Sequence, residues 1–129
     1  MSLHVVISPH PDDAPLTMGA TIHHLTSRGE RVLIATTMAG PVPHTLPDTA
    51  VVHEFHTTWD VGDNPILLRH DEDRAAAAVL GADITFLELA DCIYRTVDGQ
   101  PLYFTREDVF DRVNPVDPAI PVPDALRAL

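Results

Sequence analysis

The stretch Leu-His-Val-Val-Ile-Ser-Pro-His-Pro-Asp-Asp, residues 3–13, decides how this chain folds. Its first part, Leu3 to Ile7, is a nearly continuous apolar and β-branched run, typical of a strand buried in a parallel sheet. Its second part, Ser8 to Asp13, contains two prolines, one histidine and two carboxylates. Nitrogen and oxygen donors in one tight turn suit a divalent metal such as zinc. The stretch therefore predicts a strand that ends in a metal-binding turn.

The segments after this turn alternate between helical and extended patterns. Strands are predicted at 3–7, 31–37 and 84–87, helices at 16–28, 51–59, 67–80 and 105–112, a turn-rich connector at 60–65, a tight turn at 97–100 and a last helix within 121–129. The prolines of the turn are expected to delay the first helix to Leu16 or Thr17. Strand, helix and strand in about thirty residues make a βαβ unit. The predicted fold class is α/β, a three-layer Rossmann-like parallel sheet in a single domain over residues 1–129.

The predicted sheet is only half of a doubly wound one. In such a sheet the first strand normally lies in the middle, whereas here it would be an exposed apolar edge. The sequence therefore predicts a truncated chain. Its open edge would be covered by a second copy, as a homo-oligomer, or by a missing C-terminal half.

Composition excludes some partners. Eight basic and nineteen acidic residues give a net charge of −11, which disfavours nucleic acid and anionic membrane surfaces. No segment reaches transmembrane length, and the N-terminus has no signal-peptide pattern. The single cysteine, Cys92, cannot form an internal disulfide, so the cytoplasm is the default location. Cys92 is expected to be a small buried residue rather than a nucleophile.

Residues 8–22, Ser-Pro-His-Pro-Asp-Asp-Ala-Pro-Leu-Thr-Met-Gly-Ala-Thr-Ile, resemble the opening motif of the PIG-L/LmbE-like family of zinc-dependent N-acetylglucosaminyl deacetylases. The resemblance continues in order through residues 39–41, 69–81 and 86–95, so it covers the N-terminal half of such a protein. Pro15 and Ala20 depart mildly from the usual pattern. The resemblance implies hydrolysis of an N-acetyl group on a small amino-sugar-like substrate.

The resemblance also implies roles for the turn. His10 and Asp13 would ligate Zn²⁺, and Asp12 would be the general base on the metal-bound water. The family's third zinc ligand is a histidine of a later motif that this sequence does not contain, and two ligands imply weak zinc binding. The candidates for a substitute, none singled out by spacing, are His44, His53, His56 and His70.

Residues outside the turn are weaker candidates. Asp91, Tyr94 and Arg95 follow a predicted strand at the end where α/β sites form, so they would contact substrate or pack the loop. Arg69 and Glu72 would form a surface pair or organise the site from behind, with Glu72 half buried.

Three interpretations compete with a metal-dependent deacetylase. Asp12 and Asp13 could simply cap the first helix. The chain could also be a catalytically incomplete family member that folds and self-associates without hydrolase activity. A small-ligand binding module is a third class, although the acidic turn would repel anionic ligands.

Overall fold

The computed structural model describes residues 2–59 and 65–119. In chain order its elements are β1 (Leu3–Ser8), α1 (Asp13–Ser27), β2 (Arg31–Thr36), α2 (Ala50–Trp59), α3 (Pro65–Leu80), β3 (Asp83–Phe86), a 3₁₀ turn (Cys92–Tyr94), β4 (Thr96–Val97), β5 (Gln100–Pro101) and α4 (Arg106–Asp111). The predicted helix within 121–129 and nearly all of the connector at 60–65 lie outside the described residues.

The described residues fall into two compact units. The first unit lies within Met1–Pro41 and Asp63–Leu89, and the second within Val42–Gly62 and Ala90–Leu129. The assignment of residues 1–129 to one domain stays a prediction.

A parallel sheet of order β1-β2-β3 forms the first unit. Val6 pairs with Ile34, and Ile34 pairs in turn with Ile84. The predicted α/β class with a parallel sheet is confirmed. Within the described residues β1 pairs with β2 alone, so the prediction that it would lie at an edge is also confirmed.

Helices α1 and α3 pack on one face of this sheet. Ile22 of α1 and Ala77 of α3 join Val32 and Ile34 of β2 in one buried cluster. Full burial of an aliphatic side chain such as Ile22 is worth about 1.5–3 kcal/mol, so this cluster anchors both helices. The opposite face of β1 is different, because Leu3, Val5 and Ile7 are 51%, 44% and 46% exposed.

The start of α1 differs from the prediction. The helix begins at Asp13, not at Leu16 or Thr17. Pro15 lies in its first turn, where the backbone N–H that proline lacks would have no partner within the helix. The helix ends as expected before Gly29, whose φ of +82° is one that glycine adopts at little cost.

The second unit has a small core of its own. Val51 and Val52 of α2 pack with Ile93 and Tyr94 of the 3₁₀ turn. The predicted tight turn joins β4 to β5. Helix α4 begins with the predicted capping box, in which Thr105 and Asp108 each bind the other's backbone N–H. Among the described residues, no helix is long and apolar enough to cross a membrane.

Candidate functional site

The turn after β1 is folded by the last side chain of that strand. Ser8 is 1% exposed. Its hydroxyl donates to the carbonyl oxygen of His10 at 2.8 Å and accepts the backbone N–H of Ala14 at 3.1 Å. Because one buried hydroxyl binds both ends of the turn, residues 10–13 form a compact loop directly before α1.

His10 and Asp13 face each other across this loop. Oδ2 of Asp13 lies 3.2 Å from Nδ1 of His10 and accepts the backbone N–H of His10 at 3.0 Å. The two side chains are 37% and 39% exposed, so they are open to solvent and to an incoming ion. An imidazole and a carboxylate in this arrangement are the donor types that zinc takes.

Asp12 has a partner outside this pair. Its backbone has a φ of +74°, and its side chain makes no capping hydrogen bond to α1. Nη2 of Arg69 instead lies 3.0 Å from Oδ2 of Asp12 and 2.9 Å from the carbonyl oxygen of Pro11. The capping interpretation is therefore wrong for Asp12, whose carboxylate is held by an arginine of α3 and is 53% exposed.

Asp73, one helical turn beyond Arg69, is the residue that the sequence interpretation missed. It is 1% exposed, and its Oδ1 accepts the backbone N–H of Asp12 at 2.8 Å. Thr36 Oγ1 of β2 lies 3.5 Å from its other oxygen. Burial raises the pKa of Asp73, while the bond from Asp12 opposes that rise. The carboxylate thus links α3 to the turn.

Glu72 is not where it was expected. It was predicted to be half buried, but its side chain is exposed, and the buried position is the next one, Asp73. The correct stripe runs through Ile66, Asp73 and Ala77, which are buried and spaced seven and four residues apart. The spacing of these residues along the sequence is compatible with a buried helix face. The run of alanines in α3, however, makes several alternative faces equally apolar.

His70 of α3 holds the loop after β2. Its Nε2 lies 2.8 Å from the carbonyl oxygen of Ala39, and its ring stacks on Phe86 at 4.1 Å between centroids. Next in the loop, the N–H of Gly40 donates to the carbonyl oxygen of Leu89 at 2.8 Å. A side chain on Gly40 would collide with the Glu88 carbonyl, since a Cβ would lie 2.5 Å from that oxygen.

The donors for a zinc ion are incomplete in the part of the chain that the structure covers. Across residues 2–59 and 65–119, no group of three histidine, cysteine, aspartate or glutamate side chains is arranged to hold a metal. A catalytic zinc takes three protein ligands and a water. His10 and Asp13 have donor atoms that suit zinc, but they supply two of the three protein ligands that a catalytic zinc takes.

The remaining candidates belong to the second unit and have partners there. Oδ1 of Asp91 accepts the N–H of Ile93 at 3.3 Å, and the hydroxyl of Tyr94 lies 2.7 Å from Nε2 of His56. Arg95 is 9% exposed and forms an ion pair with Asp117. Their role as substrate contacts stays a prediction, and the loop-packing alternative matches the contacts they make.

Arg95, Asp117 and Tyr103 form a buried network. Nη1 of Arg95 lies 2.8 Å from both carboxylate oxygens of Asp117, and the Tyr103 hydroxyl donates to Oδ2 at 2.6 Å. Burial alone would raise the pKa of Asp117, but the hydrogen bonds and the arginine outweigh it and hold that pKa below its usual value. The carboxylate is therefore ionised at neutral pH.

Cys92 is half buried rather than fully buried, and its surroundings disfavour the thiolate. Burial, followed by the charge of Asp91, raises the pKa of its thiol to about 12. The reactive form of cysteine is the thiolate, which is scarce at neutral pH for such a group.

Several known proteins to which this chain is similar are deacetylases. The 2'-N-acetylparomamine deacetylase of Niallia circulans is 30% identical over 116 residues, which cover 81% of this chain and 42% of that protein. A deacetylase–teicoplanin complex from the teicoplanin biosynthesis pathway matches at 33% identity and a TM-score of 0.71, over 78% of this chain and 40% of that one. The zinc-inhibited form of teicoplanin deacetylase matches at 32% identity and a TM-score of 0.71, over 88% and 42%.

This chain thus spans about two fifths of the length of the relatives it matches. The sequence pattern of the PIG-L family, described as GlcNAc-PI de-N-acetylase, matches residues 5–124. That match takes in both units and the whole turn between β1 and α1. On this evidence the chain belongs to the PIG-L family.

Proposed function

We propose that this chain carries the general base and two of the zinc ligands of an N-deacetylase. Its substrate would be a small molecule bearing an N-acetylated amino sugar. The observation that carries the proposal is that two consecutive carboxylates have different partners. Asp13 faces His10 at 3.2 Å, and Asp12 faces Arg69 at 3.0 Å. Family membership and the names of the three deacetylases described above support the same reaction.

His10 and Asp13 would hold the metal in this proposal. A bound zinc supplies an acidified water, with a pKa near 7, and polarises the amide carbonyl. The chain's part is to hold two donors on a turn that Ser8 already folds. Prearranged donors lose little freedom when the ion binds.

Asp12 would take a proton from the attacking water. Its carboxylate is 53% exposed, so water and substrate can reach it. Nη2 of Arg69 donates to both Oδ2 of Asp12 and the carbonyl oxygen of Pro11, and these two hydrogen bonds hold the Asp12 carboxylate in one orientation. A general base must lie within hydrogen-bond reach of the proton that it abstracts, and a fixed orientation serves that need.

The competing proposal is a chain that folds and self-associates without hydrolysis. The observation that favours it is the half-exposed apolar row of Leu3, Val5 and Ile7 on an edge strand. Such an edge invites pairing with another chain. In the deacetylase proposal, the third zinc ligand would come from outside the described residues, so this chain alone would bind zinc weakly.

Zinc titration of the purified chain separates the two proposals. The wild type should take up zinc, and Asp13→Ala should weaken uptake, because it removes one of two donors. Asp71→Ala is a matched control, since it removes an exposed carboxylate of α3 whose ion-pair partner is the surface residue Arg74. No uptake by the wild type in excess zinc would refute the enzyme proposal for this chain. Acetate release after addition of the C-terminal half of a relative would establish it.

A further inference from the structure

Both polar atoms of one peptide unit, the one that joins Pro11 to Asp12, are bound by side chains of α3. Its carbonyl oxygen accepts from Nη2 of Arg69 at 2.9 Å. Its N–H donates to Oδ1 of Asp73 at 2.8 Å. Arg69 and Asp73 are four residues apart and so lie on the same face of the helix. The peptide plane is therefore clamped from two sides by one rigid element.

This clamp coincides with an unusual backbone conformation. Asp12 has a φ of +74°, in the left-handed region that residues other than glycine seldom adopt. A residue before a helix normally has extended backbone and caps the helix with its own side chain. Asp12 does neither, and its N–H is directed at Asp73 instead. The hydrogen bond to a buried carboxylate is charge-assisted, which compensates for the strained backbone.

The conformation of Asp12 determines where two neighbouring carboxylates point. If Asp12 had ordinary extended backbone, its side chain would turn toward the first turn of α1, as a capping residue does. With the observed backbone, the carboxylate of Asp12 meets Arg69, and Asp13 begins the helix facing His10. The orientation of the peptide plane thus separates the general base from the ligand pair.

We propose that Asp73 is a positioning residue, which orients the Pro11–Asp12 peptide and thereby aims Asp12 and Asp13 to opposite sides of the turn. The inference rests on the proposed roles of His10, Asp12 and Asp13. Its location supports it, because a buried carboxylate on an alanine-rich helix is costly unless it meets donors. The shortest hydrogen bond that the structure gives Asp73 is the one from Asp12.

The test uses the full 129-residue chain with Asp73→Asn, Asp73→Ala and the control Asp71→Ala. Two quantities are measured: the proton chemical shift and exchange rate of the Asp12 amide by NMR, and the affinity for zinc alone by calorimetry. Asparagine keeps an oxygen for the Asp12 amide but loses the charge, whereas alanine removes the acceptor.

A graded response is expected. The Asp12 amide proton should move upfield and exchange faster from wild type to Asp73→Asn to Asp73→Ala, while Asp71→Ala should match the wild type. Zinc affinity should fall about 10–100-fold in Asp73→Ala, the range typical of groups that orient metal ligands, and less in Asp73→Asn. If Asp73→Ala does not fold, Asp73→Asn still decides, because a role confined to packing would leave both its Asp12 amide and its zinc affinity equal to those of the wild type.

This design distinguishes failure of the positioning role from failure of the proposed function. An Asp12 amide unaltered in Asp73→Asn, or zinc affinity in Asp73→Ala equal to that of Asp71→Ala, would overturn the positioning role. If the wild type itself binds no zinc, the proposed function fails for this chain. The amide measurements would then still decide, by themselves, whether Asp73 orients the peptide.

Discussion

Removal of the Asp117 carboxylate should destabilise the second unit strongly. Asp117→Ala leaves the Arg95 guanidinium buried, since the two side chains are 9% and 1% exposed, and it deprives the Tyr103 hydroxyl of its acceptor. Breaking a buried ion pair from one side costs about 3–5 kcal/mol. The total free energy of unfolding of a small protein is about 5–15 kcal/mol. The substitution should therefore consume a large share of the stability.

Urea denaturation followed by tryptophan fluorescence measures this effect. Trp59, the single tryptophan, lies in α2 of the second unit, where it stacks on Phe55 with ring centroids 5.3 Å apart. Glu54→Ala is the control, because its pair with Arg106 is exposed and such pairs are worth about 0.2–1 kcal/mol. If Asp117→Ala costs no more than Glu54→Ala, the buried network does not stabilise the unit as argued.

The same network predicts the direction of acid sensitivity. The folded-state pKa of Asp117 lies below its unfolded value of 3.8, so the ionised carboxylate binds its partners more tightly than the protonated one. This stabilisation is complete above the unfolded pKa and is lost as the pH falls through the folded pKa. The difference in unfolding free energy between wild type and Asp117→Asn should thus be constant near neutral pH and shrink in strong acid. A difference that grows on acidification would contradict the assignment.

Three further predictions concern the turn, α3 and the sheet edge. In the assay with an added C-terminal half, Asp12→Ala should abolish acetate release but spare zinc uptake; undiminished turnover would refute its role as base. Glu72→Ala should change the unfolding free energy by no more than about 0.5 kcal/mol, because the side chain is exposed. A larger loss in chemical denaturation would reinstate Glu72 as a packing residue. Val5→Lys should convert self-associated chain to monomer in analytical ultracentrifugation, and a wild type that is already monomeric would refute self-association.

Because Arg95 contributes to the stability of the second unit, activity measurements on its variants need a folding control. Arg95→Ala would leave Asp117 as a buried carboxylate without its cation, so it should destabilise the second unit about as much as Asp117→Ala. A loss of activity in that variant would not identify a substrate contact unless folding were measured as well.

The local sequence pattern was enough to predict most of the secondary structure of the first unit. Short β-branched runs separated by helical segments predicted the strands within one residue, because each run carries its own propensity. The first turn of α1 was placed late, because proline was treated as a barrier where the helix tolerates it. In the second unit, the capping box at Thr105 was visible because its two partners are three residues apart.

The sequence by itself determined the parallel α/β pattern, the strand-to-helix turn and the three side chains that the turn presents, since all of these depend on neighbours along the chain. Tertiary structure alone decided that Asp73 rather than Glu72 meets the turn. Four consecutive alanines make the buried face of α3 ambiguous, and its rotation depends on packing against α1 and the sheet. Contacts between residues 61 positions apart, such as Asp12 and Asp73, exist only once that packing has formed.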